Sequence, residues 1–323
     1  MTDTNQQPIE TFDAQEEPRN ERREFFKTAI GAAAVAGAGV AAVSIGGFAS
    51  AAAGQNEVDA LNVLLNLEYL QAQFYSFAVS GAGLSNADLT GVGPGAPGAA
   101  TGAAQVSFSD PQVARFAREI AQDKLNHVRK LRGVLGALAV AQPAIDLGVT
   151  PTSAFSNLAR AASLVTAGQG FDVYANDANF LLGAFIFEDV AITAYKGGSV
   201  PFTDTGYLDA VAGIIAVKAY HAAIIRTTLY AKGATTASLR TSADALASAR
   251  NTLAGTPGID QGISPTGTGT AVQSNITLLD GNGLAYSRTI NQVMKILYLT
   301  SNAATAGGFF PAGLNGNTRN TTA

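Results

Sequence analysis

Lys218-Ala219-Tyr220-His221 repeats, in residue type and spacing, the earlier stretch Lys124-Leu125-Asn126-His127, and these two stretches hold the chain's 2 histidines. Each lies in an apolar pattern of helical period: Ile120, Lys124, His127 and Leu131 in one, Ile214, Lys218, His221 and Ile225 in the other. Steps of four and three residues place each set on one helix face. Four cationic or titratable side chains therefore point into a core, where charge is expensive.

Working outward, a second motif also occurs twice. Leu61, Leu65, Glu68, Ala72 and Tyr75 match Leu181, Phe185, Glu188, Ile192 and Tyr195 at an offset of 120, and the Lys-x-x-His segments match at an offset of 94. The offsets differ because the connection inside the first pair is longer. Two helix hairpins with equivalent polar residues facing each other make an antiparallel four-helix bundle with approximate two-fold symmetry.

The bundle helices are predicted at about 56–80, 110–138, 177–196 and 205–232. Ser109 or Asp110 caps the second, with Pro111 just inside, and its seam runs from Val113 through Ala117, Val134 and Leu138. Gly197-Gly198 and Pro201 are expected to stop the third. Shorter helices are predicted at 155–165, 241–254 and 287–299. Residues 81–107 and 255–283, rich in Gly, Pro, Ala or Thr and without period, read as long loops.

Composition limits the partners. Removing the 4 basic and 7 acidic residues of positions 1–53 from totals of 20 and 24 leaves a net charge of about −1, which gives no basis for nucleic-acid binding. With Cys 0, disulfides, iron–sulfur clusters and thiolate catalysis are excluded. Charged residues make up 14% of the chain against the usual ~25%, so a surface of Ala, Gly, Ser, Thr and Asn is expected, compatible with a homo-oligomer or a self-assembling surface subunit.

At the N-terminus, a polar lead is followed by Arg22, Arg23, Phe25, Phe26 and Lys27, then an Ala/Gly/Val run to about Ala53. This resembles a twin-arginine export signal with small-residue cleavage patterns near Ala49–Ala53. The resemblance implies the twin-arginine translocase as partner during export and a periplasmic, cell-surface or extracellular location. A membrane association is expected only if the run stays uncleaved, since it is long enough to span a bilayer. The expected organisation is a signal segment at 1–53, a helical domain at 54–316 and a polar tail at 317–323.

The duplicated helix motifs, with the closing Gly307-Gly308-Phe309-Phe310-Pro311 to Gly316 segment, resemble exported ferritin-like proteins related to desiccation-related proteins. The implied fold is all-α: a ferritin-like antiparallel four-helix bundle with long Gly/Pro-rich loops and extra C-terminal helices. In the di-metal members of that fold, two helices give one Glu each and two give Glu-x-x-His. The matching residues here are Glu68, His127, Glu188 and His221, but Lys124 and Lys218 stand where the bridging glutamates belong.

Charge balance survives the exchange. Four carboxylates with two divalent ions sum to zero, and so do two carboxylates with two ammonium groups. An ammonium beside a divalent ion in a low-dielectric core would be strongly repelled, so charged lysines and metals exclude one another. Glu68, Lys124, His127, Glu188, Lys218 and His221 are accordingly expected to form a buried ion-pair cluster, with no metal, no cofactor and no assigned catalytic residue.

The role implied is structural, or protective against stress and desiccation, in the cell envelope. The alternative is an iron- or manganese-dependent oxidase or peroxide-decomposing enzyme. Asp123 and Glu119, four and eight residues before His127, would then share its face and contribute to a displaced single ion. Tyr75 and Tyr195 are expected as packed, hydrogen-bonded core residues, and Phe309 and Phe310 as a hydrophobic clamp.

Overall fold

A computed structural model describes residues 57–255 and 258–322. The export motif at 22–27 and the apolar run after it lie outside the described residues. Among those described there are seven α-helices: α1 (Glu57–Ser80), α2 (Pro111–Leu135), α3 (Ala154–Ala161), α4 (Asp177–Gly198), α5 (Thr205–Lys232), α6 (Ser238–Ala254) and α7 (Ile290–Leu297). A two-residue strand β1 (Ala100–Thr101) pairs in parallel with β2 (Ile145–Asp146).

Helices α1, α2, α4 and α5 form the bundle. Their starts are set by the residues suited to that position: Asp110, Asn176 and Asp204 each accept a backbone N–H from the first turn of α2, α4 and α5. Three contacts tie the helix ends together. Glu57 accepts from Thr203 and Asp204 at the start of α5, Asp177 accepts from Ser109 and Asp110 at the start of α2, and Lys232 at the end of α5 reaches Asp110 at 2.6 Å. Hence α1 and α5 run one way and α2 and α4 the other. Helix α1 packs on α2 and α4, and α5 packs on the same two, so every adjacent pair is antiparallel and the parallel pairs lie on the diagonals.

Helices α4 and α5 are long and apolar enough to cross a membrane by length and composition alone, and here they form half of the bundle core. The long crossover from α2 to α4 carries β2 and α3. The 81–107 connection contains a short 3-10 turn at Asn86–Asp88 and is held by β1 and by a bridge from Val92 to Val140.

Three features depart from the sequence reading. Helix α2 ends at Leu135 with Gly136 as its cap, so Leu138, expected on the seam, is exposed. Gly197 and Gly198 do not stop α4 but complete it. A Cβ on Gly197 would lie 1.9 Å from the Arg288 carbonyl oxygen, so this glycine permits close approach of the segment preceding α7. Helix α1 is buried on nearly every side from Ala60 to Tyr75, not along one stripe. Its outward Asn62 and Asn66 are covered by chain returning from elsewhere: Asn62 pairs with Val140 and Leu138, and Asn66 with the backbone of Asn315.

The C-terminal segment closes the domain. Phe309 packs its ring 5.2 Å from Phe155 and 5.0 Å from Phe187, as a clamp against the aromatic core. The polar tail is tied down as well, through Thr321, which exchanges hydrogen bonds with Ala304.

Candidate functional site

The duplicated motifs converge at the middle of the bundle. Lys218 on α5 places Nζ 2.5 Å from Glu68 Oε1 on α1, and Lys124 on α2 places Nζ 2.7 Å from Glu188 Oε2 on α4. Each ion pair therefore spans a diagonal of the bundle. All four side chains are essentially inaccessible to water.

The tyrosines seven residues after each glutamate cross over. Tyr195 donates to Glu68 Oε1 at 2.6 Å and Tyr75 to Glu188 Oε1 at 2.8 Å. Lys218 also lies 4.8 Å from the Tyr195 ring centroid. Both tyrosines thus occupy the packed, hydrogen-bonded role expected of them.

One member of the cluster was not legible from the repeat. Gln71 Oε1 accepts from Lys124 at 3.1 Å and from Lys218 at 2.8 Å, while its Nε2 donates to the Phe187 carbonyl at 3.1 Å. The equivalent position on α4 is Ala191, so here the two-fold symmetry breaks. A single amide oxygen in the centre serves both ammonium groups. Its position three residues after Glu68 was the available signal.

The electrostatics follow from burial and pairing. Burial by itself would raise the Glu68 carboxyl, but Lys218, with help from His127 and Lys124, holds it well below the usual carboxylate range. Burial brings Lys218 down to about 8, against the opposing pull of Glu68 and with Lys124 adding to the shift. Tyr75 and Tyr195 are pushed up, first by burial and then by the carboxylate each one faces.

The histidines lie at one side of the ion pairs, ring centroids 6.1 Å apart. His221 Nε2 meets Asp123 Oδ2 at 3.0 Å, across from α5 to α2. This corrects the expectation that Asp123 would join His127 on its own helix; Glu119, the other expected neighbour, is exposed. Burial, then Lys124, brings His221 down to about 3 despite Asp123. A neutral His221 donates from Nε2 to Asp123 and keeps a lone pair on Nδ1. His127 Nδ1 stands 3.5 Å from Glu68 Oε2, too far for a good hydrogen bond. Glu68 Oε2, His127 Nδ1 and His221 Nδ1 are accordingly buried without a hydrogen-bond partner.

The donor set does not fit a di-metal centre. The two bridging positions hold Lys124 and Lys218, whose ammonium groups offer no lone pair to an ion, and each remaining glutamate has an oxygen in contact with one of them. Among the described residues, no group of three His, Asp or Glu side chains is placed to hold an ion.

Beside this cluster lies a second buried network that sequence reasoning missed. Asp189, next to Glu188 and so turned to another face of α4, meets Arg226 at 2.8 Å and Arg250 at 3.1 Å. Asp260 meets Arg250 at 2.7 Å and Arg288 at 2.6 Å. Arg226 also donates to the carbonyls of Gln261, Gly262, Asn275 and Ile276. Three guanidinium groups and two carboxylates, all out of solvent, fasten the region after α6 to the bundle. The signal was an arginine, Arg226, one residue after Ile225 in an otherwise uncharged stretch of α5.

With this geometry in view, the comparisons with known proteins are direct. A family profile described as "Ferritin-like domain" matches residues 56–231, which are the four bundle helices and their connections. The chain belongs to this ferritin-like domain family. It is 26% identical over 268 residues to a ferritin-like catalase, Nec2, of Nesocodon mauritianus, covering 80% of this chain and 84% of that one. It is 30% identical over 178 residues to the desiccation-related protein PCC13-62 of Craterostigma plantagineum, covering 54% of each chain. No solved structure matches it. The ferritin-like, desiccation-related assignment thus agrees with the resemblance carried by the duplicated motifs.

Proposed function

We propose that this ferritin-like protein works without a metal: its two diagonal Lys–Glu pairs replace the metals as the charge-balancing centre of the bundle, and its role is structural or protective in the cell envelope. The observation that carries this reading is the direct contact of Lys218 with Glu68 at 2.5 Å and of Lys124 with Glu188 at 2.7 Å. Two anions and two cations in a site closed to water need no ion to neutralise them. Export by the twin-arginine route, supported by Arg22, Arg23, Phe25, Phe26 and Lys27, belongs to the same proposal, as does assembly into a homo-oligomer, supported by the scarcity of charge.

A second reading has support of its own. The relative aligned over most of both chains is named a catalase, and three buried polar atoms beside the ion pairs lack partners. Under that reading the chain decomposes peroxide. Following hydrogen peroxide consumption by the purified protein separates the two. The first reading predicts a rate at the level of the buffer; sustained turnover that disappears on treatment with a chelator would replace it with the second. A converse test is the double change Lys124→Glu with Lys218→Glu. If the lysines occupy bridging positions, the variant gains Mn(II) binding in calorimetry, and no gain would show that the backbone no longer supports a metal pair.

A further inference from the structure

A cavity of about 830 Å³ lies between the C-terminal half of α1 and the 81–107 connection. This is within the size range of sites that take a small organic molecule. Its floor includes Gln73, which is two residues past Gln71 and therefore on the opposite side of α1 from the charge cluster.

The floor is rigid. Gln73 and Gln142 are buried, and Gln73 Nε2 donates to Gln142 Oε1 at 2.7 Å. Gln73 Oε1 accepts from Leu84 N at 3.1 Å, and Gln142 Nε2 donates to the Gly98 carbonyl at 2.9 Å. The backbone of Gln142 bonds to Leu89 and Gly98, each at 2.9 Å. Both limbs of the connection are thus fixed to one pair of carboxamides, and the cavity is preformed. Two glycines permit this close seating: a Cβ on Gly83 would lie 2.5 Å from Gln73 Oε1, and one on Gly98 would lie 2.3 Å from Ala144 N.

The chemistry of the lining narrows the ligand. Phe77, Leu84, Leu89 and Pro97 supply apolar wall, and no charged side chain lines the cavity. A carboxamide nitrogen has two N–H groups. Gln73 uses one on Gln142 and Gln142 uses one on Gly98, and neither second N–H has an acceptor among the described residues. We propose that the cavity binds a neutral, mostly apolar small organic molecule whose carbonyl or ether oxygen accepts a hydrogen bond from Gln73 or Gln142.

A suitable probe is 6-propionyl-2-dimethylaminonaphthalene, a neutral fluorophore with one ketone, titrated into the full chain. The expected result is saturable one-site binding with blue-shifted emission. Leu84→Trp, which fills the cavity from its wall, should weaken binding at least about tenfold with an unchanged circular dichroism spectrum. Leu89→Trp serves if the first variant does not fold. On the unmodified protein, the 6-propyl analogue, in which a methylene replaces the ketone carbonyl, should bind about tenfold more weakly, the effect of one lost hydrogen bond. The proposal is overturned by absence of saturable binding, by equal binding of the two probes, by binding that both tryptophan variants leave intact, or by displacement with glucose, which would assign the site to a hydrophilic ligand.

Discussion

Replacing Lys218 by methionine keeps the length of the side chain and removes its charge, leaving Glu68 in a water-free core without its 2.5 Å partner. At an effective dielectric of about 20, two unit charges at that contact attract by roughly 7 kcal/mol. Removing the lysine also removes its own desolvation cost, so the net loss is smaller, about 3–5 kcal/mol as for other broken buried pairs. The Tyr195 hydroxyl remains on Glu68 and favours the lower half of that range.

The loss depends on pH with a definite sign. In the parent protein Glu68 is held below its unfolded value, so its contribution is present above about pH 4.3 and lost as pH falls further. In Lys218→Met, burial acts against a much weaker opposition and the carboxyl rises, so the variant gains stability relative to the parent as pH falls. Urea unfolding followed by circular dichroism should show a midpoint lowered by about 1–2 M at pH 7, for an m value near 3 kcal/mol/M, and a smaller deficit at pH 4.5. Adding Glu68→Gln should recover most of the loss, because two neutral partners strand no charge. A deficit below about 1 kcal/mol, or one that is the same at both pH values, would refute the assignment of an ionised Glu68 held by Lys218.

Other consequences follow from the same geometry. His221, brought down to about 3, should cost stability progressively as pH falls below 6.5, and His221→Gln should flatten that part of the curve in acid titrations. Arg250→Met should destabilise by about 2–3 kcal/mol and speed hydrogen exchange in residues 258–289 before it affects α1 and α2, since it removes the guanidinium shared by Asp189 and Asp260 while each keeps one other arginine. Gly197→Ala should lower the thermal midpoint, because its Cβ would overlap the Arg288 carbonyl, whereas Gly213→Ala, which meets nothing within 4 Å, should raise it slightly.

The bundle was legible because its helices carry the information twice. An apolar period of 3.6 defines each helix, and the repeat of Glu-x6-Tyr and Lys-x-x-His states which polar residues share a level. What the repeat could not state was which partners meet, since pairing along the diagonals depends on the direction of each helix. The asymmetric element, Gln71, is invisible to a symmetry argument. The Asp189–Arg250–Asp260 network was hidden for another reason: its members lie on three elements and a loop, and loop residues have no period that would signal burial. Likewise Gly197-Gly198 looks locally like a helix stop, and only the approach of Arg288, 91 residues later, explains it as a contact surface.

The central claim, that paired lysines stand in place of metals, is tested most directly by elemental analysis of the protein purified from the cells and compartment in which it naturally resides, without added metal or chelator. Iron, manganese and zinc together should fall well below one ion per chain. One or two ions per chain, retained through gel filtration and lost together with His127→Ala and His221→Ala, would contradict it.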